Sequence, residues 1–472
     1  MGNDELGNEN RPIPERPRQA VVIIHGIGEQ RPMDTLWGFV SGVWSKRLAH
    51  SSKRWAHSKP DRISPTLELR RLSVPSVSAE WRPGQPVSTD FYELYWAHLM
   101  SGTSWNHVIA WIGVLMLRLP NKVPRRLLPV WLLSWLMAAA ATVAAAATVA
   151  ICGPWRPDLP AWPLIALALA GVVALAKAMG NYFGLQYVGD AARYLSPTPP
   201  NIGVRHAIRS AALDLLRGLH DDPTWHRYQR IIVVGHSLGS VIGYDALTYL
   251  WQERHHPTKS ELRSAPQPDH DLLECSSDIT DGRALQSRIW REQRAIGVEW
   301  KITDFVTLGS PLAHAAFLMA KNQGDFKAKI KQREFPTCPP QLRDDADMDY
   351  GRPLLEDTAD FTETPSKLLH HAAPFACTRW TNLYFSRDLI GGSLKALFGE
   401  WIDEPKWPGI RSCRFFPHTH YWDASERTCD ALRNALELDA WWTRENADAA
   451  LVKLVKFQQR YVKSHRNVGN CR

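Results

Sequence analysis

The chain has 472 residues, of which 44% are hydrophobic, 22% are charged and 10% are aromatic. This composition is typical of a folded globular protein and excludes a collagen, a mostly disordered chain and a disulfide-rich miniprotein. The formal net charge is +8, but the lysines and arginines are scattered along the chain, so we expect no nucleic-acid partner.

The N-terminal residues 1–19 are polar and rich in proline, and we predict a disordered tail there. A short β-branched run over 20–24 ends at His25-Gly26, which predicts a strand that leads into a turn. Two further strands are predicted over 67–74 and 91–96. Residues 20–100 are therefore interpreted as the first part of an α/β core.

An apolar insertion over 101–185 interrupts this core. Residues 127–151 carry no charge, and as a helix they would be about 37 Å long, enough to cross a bilayer core of about 30 Å. A second uncharged run follows a turn rich in glycine and proline. We therefore predict a transmembrane hairpin with helices over about 127–151 and 159–179. The alternative is an alanine-rich hairpin buried in a soluble protein.

Basic residues flank both arms of this hairpin. By the positive-inside rule, they predict that the catalytic domain and both termini are cytoplasmic. The shorter apolar run over 105–119 fits an interfacial or a core helix, and whether it is a third membrane segment is left open. The flanking basic residues are Arg118, Lys122, Arg125 and Arg126 before the hairpin, and Lys177 and Arg193 after it.

Strands and helices alternate over residues 186–445, which we interpret as the remainder of the core, followed by a C-terminal helix and tail over 446–472. This alternation predicts a mostly parallel sheet with helices on both faces. The predicted strands lie at 230–234, 302–308, 380–385 and 411–416, and the predicted helices at 204–219, 241–250 and 423–438, the last one capped by Asp423 and Glu426. A surface loop is predicted over 252–281, and an irregular segment, either a lid or a lateral insertion, over 321–374.

The sharpest motif is Gly235-His236-Ser237-Leu238-Gly239, which matches G-x-S-x-G between a predicted strand and a predicted helix. A strand-to-helix turn this tight forces the serine into a strained conformation and displays it at the start of a helix. Small residues at the two glycine positions let the turn close. The context favours a nucleophile, and a glycine-rich turn with a passive serine is the alternative.

A serine hydroxyl needs a base to remove its proton. In this architecture an acid and a histidine follow the serine, in that order, at the ends of later strands. Asp388 follows the strand predicted at 380–385, and His420 follows the one predicted at 411–416, so we predict both as catalytic residues. His418 is the rival base and Asp360 the weaker rival acid.

Two converging backbone N–H groups are needed to stabilise the oxyanion. One is expected from Leu238, directly after the nucleophile, and the other from the loop of Gly26, Ile27 and Gly28. That loop imitates half of a dinucleotide-binding fingerprint, but Arg31 stands where the third glycine belongs, which argues against nucleotide binding. The histidine pairs lack partners at zinc spacing, so no metal and no cofactor are expected.

The motifs together resemble the α/β-hydrolase superfamily of serine esterases and lipases. They are VVIIHGIGEQ (21–30), VVGHSLGS (233–240), FVTLGSPL (305–312), NLYFSRDLIGG (382–392) and HTHYW (418–422). The likeness covers about 20–100 and 186–440. There is a further, weaker similarity to lipases that act on membrane lipids, including DDHD-type phospholipases and GPI inositol-deacylase-like proteins, although no Asp-Asp-His-Asp string occurs.

From these observations we expect a membrane-anchored serine hydrolase that cleaves carboxylic esters through an acyl-enzyme. Ser237 is the expected nucleophile, His420 the base and Asp388 the acid. The predicted anchor favours a lipid or acylated substrate. Thioester cleavage, acyl transfer and a catalytically silent membrane scaffold of the same fold are the alternatives. The sequence does not specify the oligomeric state.

Overall fold

The computed structural model describes most of residues 18–100, 113–152, 191–255, 282–341, 369–405 and 417–438, with gaps that include 28–30, 46–55, 75–87 and 222–227. Within these ranges, seven strands form one sheet in the order β2-β3-β4-β1-β5-β6-β7. The strands are β1 Arg18–Ile24, β2 His57–Pro60, β3 Arg70–Val74, β4 Ser88–Leu94, β5 Arg230–His236, β6 Ile302–Leu308 and β7 Arg379–Leu383.

The five strands from β4 to β7 run parallel, and only β2 and β3 at one edge are antiparallel to their neighbours. The predicted mostly parallel α/β sheet is therefore confirmed. Strand β5 is the middle one of these five parallel strands and is buried along its whole length. Because the carboxyl ends of parallel strands share one edge, the segments that follow β1, β5, β6 and β7 meet there.

Helices cover both faces of the sheet. The helices of the described residues include α1 Asp34–Val40, α2 Leu128–Cys152, α3 Pro199–Asp221, α4 Leu238–Arg254, α5 Ala315–Leu318, α6 Gln323–Lys331, α7 Lys395–Phe398 and α8 Glu426–Leu436. Of these, α1 and α8 pack on one face of the sheet and α3 and α4 on the other, whereas α2 packs in a separate small cluster. Alternate β1 side chains point to opposite faces: Val21 packs in the core with α1 and α8, and Val22 in the core with α3 and α4.

Several predicted boundaries need correction. Strand β1 begins at Arg18 and therefore includes Arg18 and Gln19, two residues of the predicted N-terminal tail. Helix α8 is capped by Ser425, whose side chain accepts the N–H of Thr428, and not by the predicted Asp423 and Glu426 pair. Serine suits this position because its short side chain reaches the third backbone N–H of the helix. The insertion predicted over 321–374 contains helix α6, and the strand predicted at 411–416 lies outside the described residues.

The predicted membrane hairpin is not supported. A single helix, α2, covers the first predicted arm, and most of the second arm lies outside the described residues. Among the helices of the described residues, none combines the length and apolar character required to cross a bilayer.

Candidate active site

Ser237 lies in a sharp turn between the end of β5 and the start of α4. Its backbone has φ 51° and ψ −127°, a conformation that a residue with a side chain rarely adopts. Its N–H donates a hydrogen bond to the carbonyl oxygen of Leu308, 2.9 Å away, at the end of β6. Its side chain makes no capping hydrogen bond to α4 although it occupies the capping position. Backbone strain of this kind costs about 1–3 kcal/mol and is typical of functional positions.

The two glycines of the motif allow this turn to close. A β-carbon at position 235 would lie 2.4 Å from the Cα of Ser240, and one at position 239 would lie 2.2 Å from the carbonyl oxygen of Ile24. Neither position has room for a larger residue unless the backbone moves. The close approach at position 239 holds the start of α4 against the end of β1.

The predicted oxyanion loop packs directly against the serine. A β-carbon on Gly26 would lie 2.9 Å from the β-carbon of Ser237, so the backbone at Gly26 is in contact with the elbow. Ile27 is buried beside it, while Gly28 lies outside the described residues. Leu238 is the first residue of α4, and its N–H is therefore among those that have no acceptor inside the helix.

Asp388 and His418 form a buried pair. The Nδ1 atom of His418 lies 2.9 Å from Oδ2 of Asp388, and both side chains are almost completely inaccessible to solvent. The carboxylate therefore fixes the orientation of the imidazole ring through Nδ1. Asp388 follows β7 as predicted, and His418 lies in a short 3₁₀ turn, Pro417–Thr419.

This arrangement corrects the expected pairing of Asp388 with His420. His420 turns away and makes a hydrogen bond of 2.9 Å to Asp423, three residues further along the chain. The Asp423 side chain is about half exposed, which places this second pair at the surface. The reason is that His420 reaches the carboxylate of Asp423, only three residues away, whereas the His418 side chain is buried and reaches Asp388.

The segment that carries His418 is held against the elbow. The Nε2 atom of His236, the residue before Ser237, lies 2.8 Å from the carbonyl oxygen of His418 and donates to it. The two imidazole rings lie 5.1 Å apart. Burial lowers the pKa of His236 to about 3, helped by the neighbouring His418, so His236 is neutral at physiological pH. His236 was not among the predicted site residues, although it occupies the variable position of the G-x-S-x-G motif.

Tyr421 is a second residue of the site that was not among the predicted site residues. Its hydroxyl donates to Oδ2 of Asp388 at 2.7 Å and accepts the N–H of Phe385 at 3.2 Å. The N–H of Ile390 donates to the other carboxylate oxygen at 2.9 Å. Burial opposes the ionisation of Asp388, but His418 and these donors outweigh it and lower the pKa of Asp388 to about 2. Asp388 is therefore a carboxylate throughout the physiological range.

Replacing Tyr421 by phenylalanine removes one donor from Asp388 and leaves the N–H of Phe385 without that acceptor. For the ester hydrolysis expected from the sequence, kcat should fall about tenfold, on the scale of positioning effects, while KM changes little. A buried hydrogen bond lost in this way also destabilises the protein by about 1–3 kcal/mol. Steady-state kinetics and thermal unfolding measure the two effects.

Tyr244→Phe is the matched control, because the hydroxyl of this buried tyrosine donates to the carbonyl oxygen of Pro336 on a different segment. The control should lose stability and keep its kcat. Equal kcat losses in the two variants would show that Tyr421 has no special role at Asp388.

The structure thus brings together Ser237, Gly26, Leu238, Asp388 and His418, and it separates His420 from them. The rival acid, Asp360, lies outside the described residues. Comparisons with protein-family models, with curated proteins and with solved structures find no match for the chain.

Proposed function

We propose that the protein is a serine hydrolase of the α/β-hydrolase type that cleaves carboxylic esters. The observation that carries the proposal is the strained serine at a strand-to-helix elbow, beside a loop held by a buried Asp–His pair. A carboxylate, an imidazole and a serine hydroxyl are the three groups that a triad mechanism requires. The sequence order Ser237, Asp388, His418 is also the order typical of this architecture.

In the proposed mechanism, Nε2 of His418 takes the proton of the Ser237 hydroxyl as its oxygen attacks the ester carbonyl. Asp388 holds the imidazole in the required tautomer and stabilises the imidazolium that forms. The N–H of Leu238 and backbone N–H groups of the Gly26 loop stabilise the oxyanion. His418 then protonates the departing alcohol, and water releases the acid from the acyl-enzyme by the reverse sequence of proton transfers.

A fluorophosphonate probe tests this proposal, since it phosphonylates only a serine that is activated by a base. The purified full-length protein should be labelled, and mass spectrometry should locate the adduct on Ser237. Heat-denatured protein is the control for non-specific labelling. A folded protein that resists the probe and hydrolyses no p-nitrophenyl ester would favour the alternative of a catalytically silent scaffold.

We further propose that the substrate is a lipid or another acylated molecule at a membrane. The support is the uncharged run of helix α2, which exposes Leu132, Trp135, Leu136 and Val143 to solvent. Exposed apolar side chains so close together are typical of lipid- or protein-binding surfaces. Recovery of the full-length protein in the membrane fraction, together with hydrolysis of a lipid extract, tests this part. Product analysis with added alcohol or thioester separates hydrolysis from acyl transfer and from thioesterase activity.

A further inference from the structure

The two residues that flank the predicted oxyanion loop, His25 on one side and Met33 on the other, are both held by the same neighbouring segment, residues 93–96. On the His25 side, the backbone N–H of Trp96 donates to Nε2 of His25 at 3.2 Å, and the indole N–H donates to the His25 carbonyl oxygen at 3.0 Å. Nδ1 of His25 therefore carries the proton and donates to the carbonyl oxygen of Gly26 at 2.7 Å. Burial lowers the pKa of His25 to about 4, which keeps this arrangement neutral.

On the Met33 side, the chain is held by Glu93, the penultimate residue of β4. The N–H of Met33 donates to Oε2 of Glu93 at 2.7 Å. Met33 has φ 74°, a left-handed conformation that is strained for a residue with a side chain, and it stands immediately before helix α1. The carboxylate therefore stabilises a backbone position that the chain would not adopt by itself.

Glu93 is unusual for a structural residue. Its side chain is 1% exposed, and its second carboxylate oxygen, Oε1, is buried without a hydrogen-bond partner in the described structure. Burial, reinforced by the nearby charge of Asp34, raises the pKa of Glu93 to about 7 although the Met33 N–H favours the ionised form. An incompletely satisfied buried carboxyl group is costly, so a purely structural role would be served better by an apolar residue.

The geometry points to Glu93 as a positioning residue that holds the oxyanion loop in its catalytic conformation. This inference rests on the proposed hydrolase function. Gly26 directly follows His25, and the chain enters α1 through Met33, so we expect the direction of the Gly26 and Ile27 N–H groups to depend on both anchors. A shift of about 1 Å at an oxyanion donor can cost about a hundredfold in rate.

None of the charged or titratable groups described below replaces Glu93 as the acceptor of the Met33 N–H. Asp34 on α1 has the same charge, and Tyr95 follows on the same segment. Arg70 on β3 directs its guanidinium to the Ser58 hydroxyl. The Met33 N–H is thus the contact that Glu93 makes with the loop, and the variants below remove or retain an acceptor at that point.

The test compares Glu93→Leu, which removes the acceptor, with Glu93→Gln, which keeps a carbonyl oxygen for the Met33 N–H. We expect kcat to fall about a hundredfold in the leucine variant with little change in KM, because the oxyanion forms only in the transition state. The glutamine variant should retain kcat within a few-fold. Asp90→Asn is the matched control on the same strand. It alters a buried carboxylate bonded to Ser73 and Tyr228, away from the loop, and should lose stability but keep kcat.

A second readout is independent of catalysis. Because the folded-state pKa of Glu93 is raised from 4.5 to about 7, the folded protein binds a proton that the unfolded chain releases between these pH values. The contribution of Glu93 to stability is therefore greatest at low pH and falls as the pH rises through about 7. The melting temperature of Glu93→Gln should exceed that of the wild type at pH 8, and the difference should shrink toward pH 5.

A folded Glu93→Leu protein with wild-type kcat, or a glutamine variant as impaired as the leucine variant, would overturn the inference. Equal kcat losses in Glu93→Leu and Asp90→Asn would also overturn it, because they would indicate general destabilisation. These outcomes differ from failure of the proposed function. If the proposed function is wrong, the wild-type protein itself resists the fluorophosphonate probe. If only the role of Glu93 is wrong, the wild-type protein is labelled at Ser237 and the kcat values of the Glu93 variants contradict the inference.

Discussion

Replacing Ser237 by alanine should reduce kcat for ester hydrolysis by about five to six orders of magnitude, as expected for loss of a triad nucleophile. Alanine keeps the β-carbon, so the strained backbone and the contact with Gly26 are unchanged. The hydroxyl makes no capping hydrogen bond to α4, and its removal should therefore change the melting temperature by little. Kinetics with a p-nitrophenyl ester, with thermal unfolding of the same preparation, separates loss of chemistry from loss of folding.

Ser287→Ala is a suitable control for this experiment. The Ser287 hydroxyl donates to the carbonyl oxygen of Arg283, on a segment that contributes nothing to the proposed site. The control should keep its activity. Wild-type turnover by the Ser237 variant would remove the serine from the mechanism, and with it the proposed hydrolase function.

His418→Ala should reduce kcat by at least about a thousandfold, because it removes the base and leaves Asp388 buried without its imidazole partner. His420→Ala should cost about tenfold at most, since its ring bonds to the partly exposed Asp423 at the surface. Asp388→Asn should resemble the His418 variant, with a loss of about ten-thousandfold, because an amide favours the wrong imidazole tautomer.

The comparison of the two histidine variants is informative in both directions. An inactive His420→Ala protein with an active His418→Ala protein would restore the assignment expected from the sequence. Thermal unfolding is needed beside the kinetics, because His418 is buried and accepts a hydrogen bond from His236 through its carbonyl oxygen. That contact belongs to the backbone and survives the alanine substitution, so the elbow should remain intact.

The Asp388 carboxylate also affects how the stability of the folded protein changes at acidic pH. The pKa of Asp388 is lowered from 3.8 to about 2 in the folded protein, so the hydrogen bonds of its carboxylate contribute stability above about pH 4. This contribution is lost as the pH falls through about 2. Asp388→Asn removes it, and the variant should therefore show a flatter loss of melting temperature with acidification than the wild type.

Much of the fold could be predicted because its signals are local. The central strands are continuous apolar runs: the predicted strand 302–308 coincides with β6, and the one at 230–234 lies within β5. Such runs are typical of strands that are buried on both faces of a parallel sheet. The G-x-S-x-G motif could also be recognised from the sequence. Glycine is required at positions 235 and 239 because the backbones of Ser240 and of Ile24 in β1 lie too close for a side chain.

The apolar insertion shows where a compositional signal is insufficient. The absence of charge over 127–151 predicted a helix, and α2 occupies that segment. Whether a helix crosses a bilayer depends on its surroundings as well as on its composition. Val130 at the base of α2 packs with Leu115, Val123 and Phe317 of the protein, a contact that no hydropathy pattern contains.

Residue types and their order along the chain were enough to indicate an α/β fold, a serine at an elbow and an acid after a later strand. Only the three-dimensional structure distinguishes His418, which contacts Asp388, from His420, which contacts Asp423. Two histidines one residue apart look equivalent in a loop, and what distinguishes them is which ring reaches Asp388, 30 residues away in sequence. His236, Tyr421 and Glu93 were overlooked for the same reason. Their hydrogen bonds join segments that are distant in sequence, and only packing of the sheet and its helices brings those segments together.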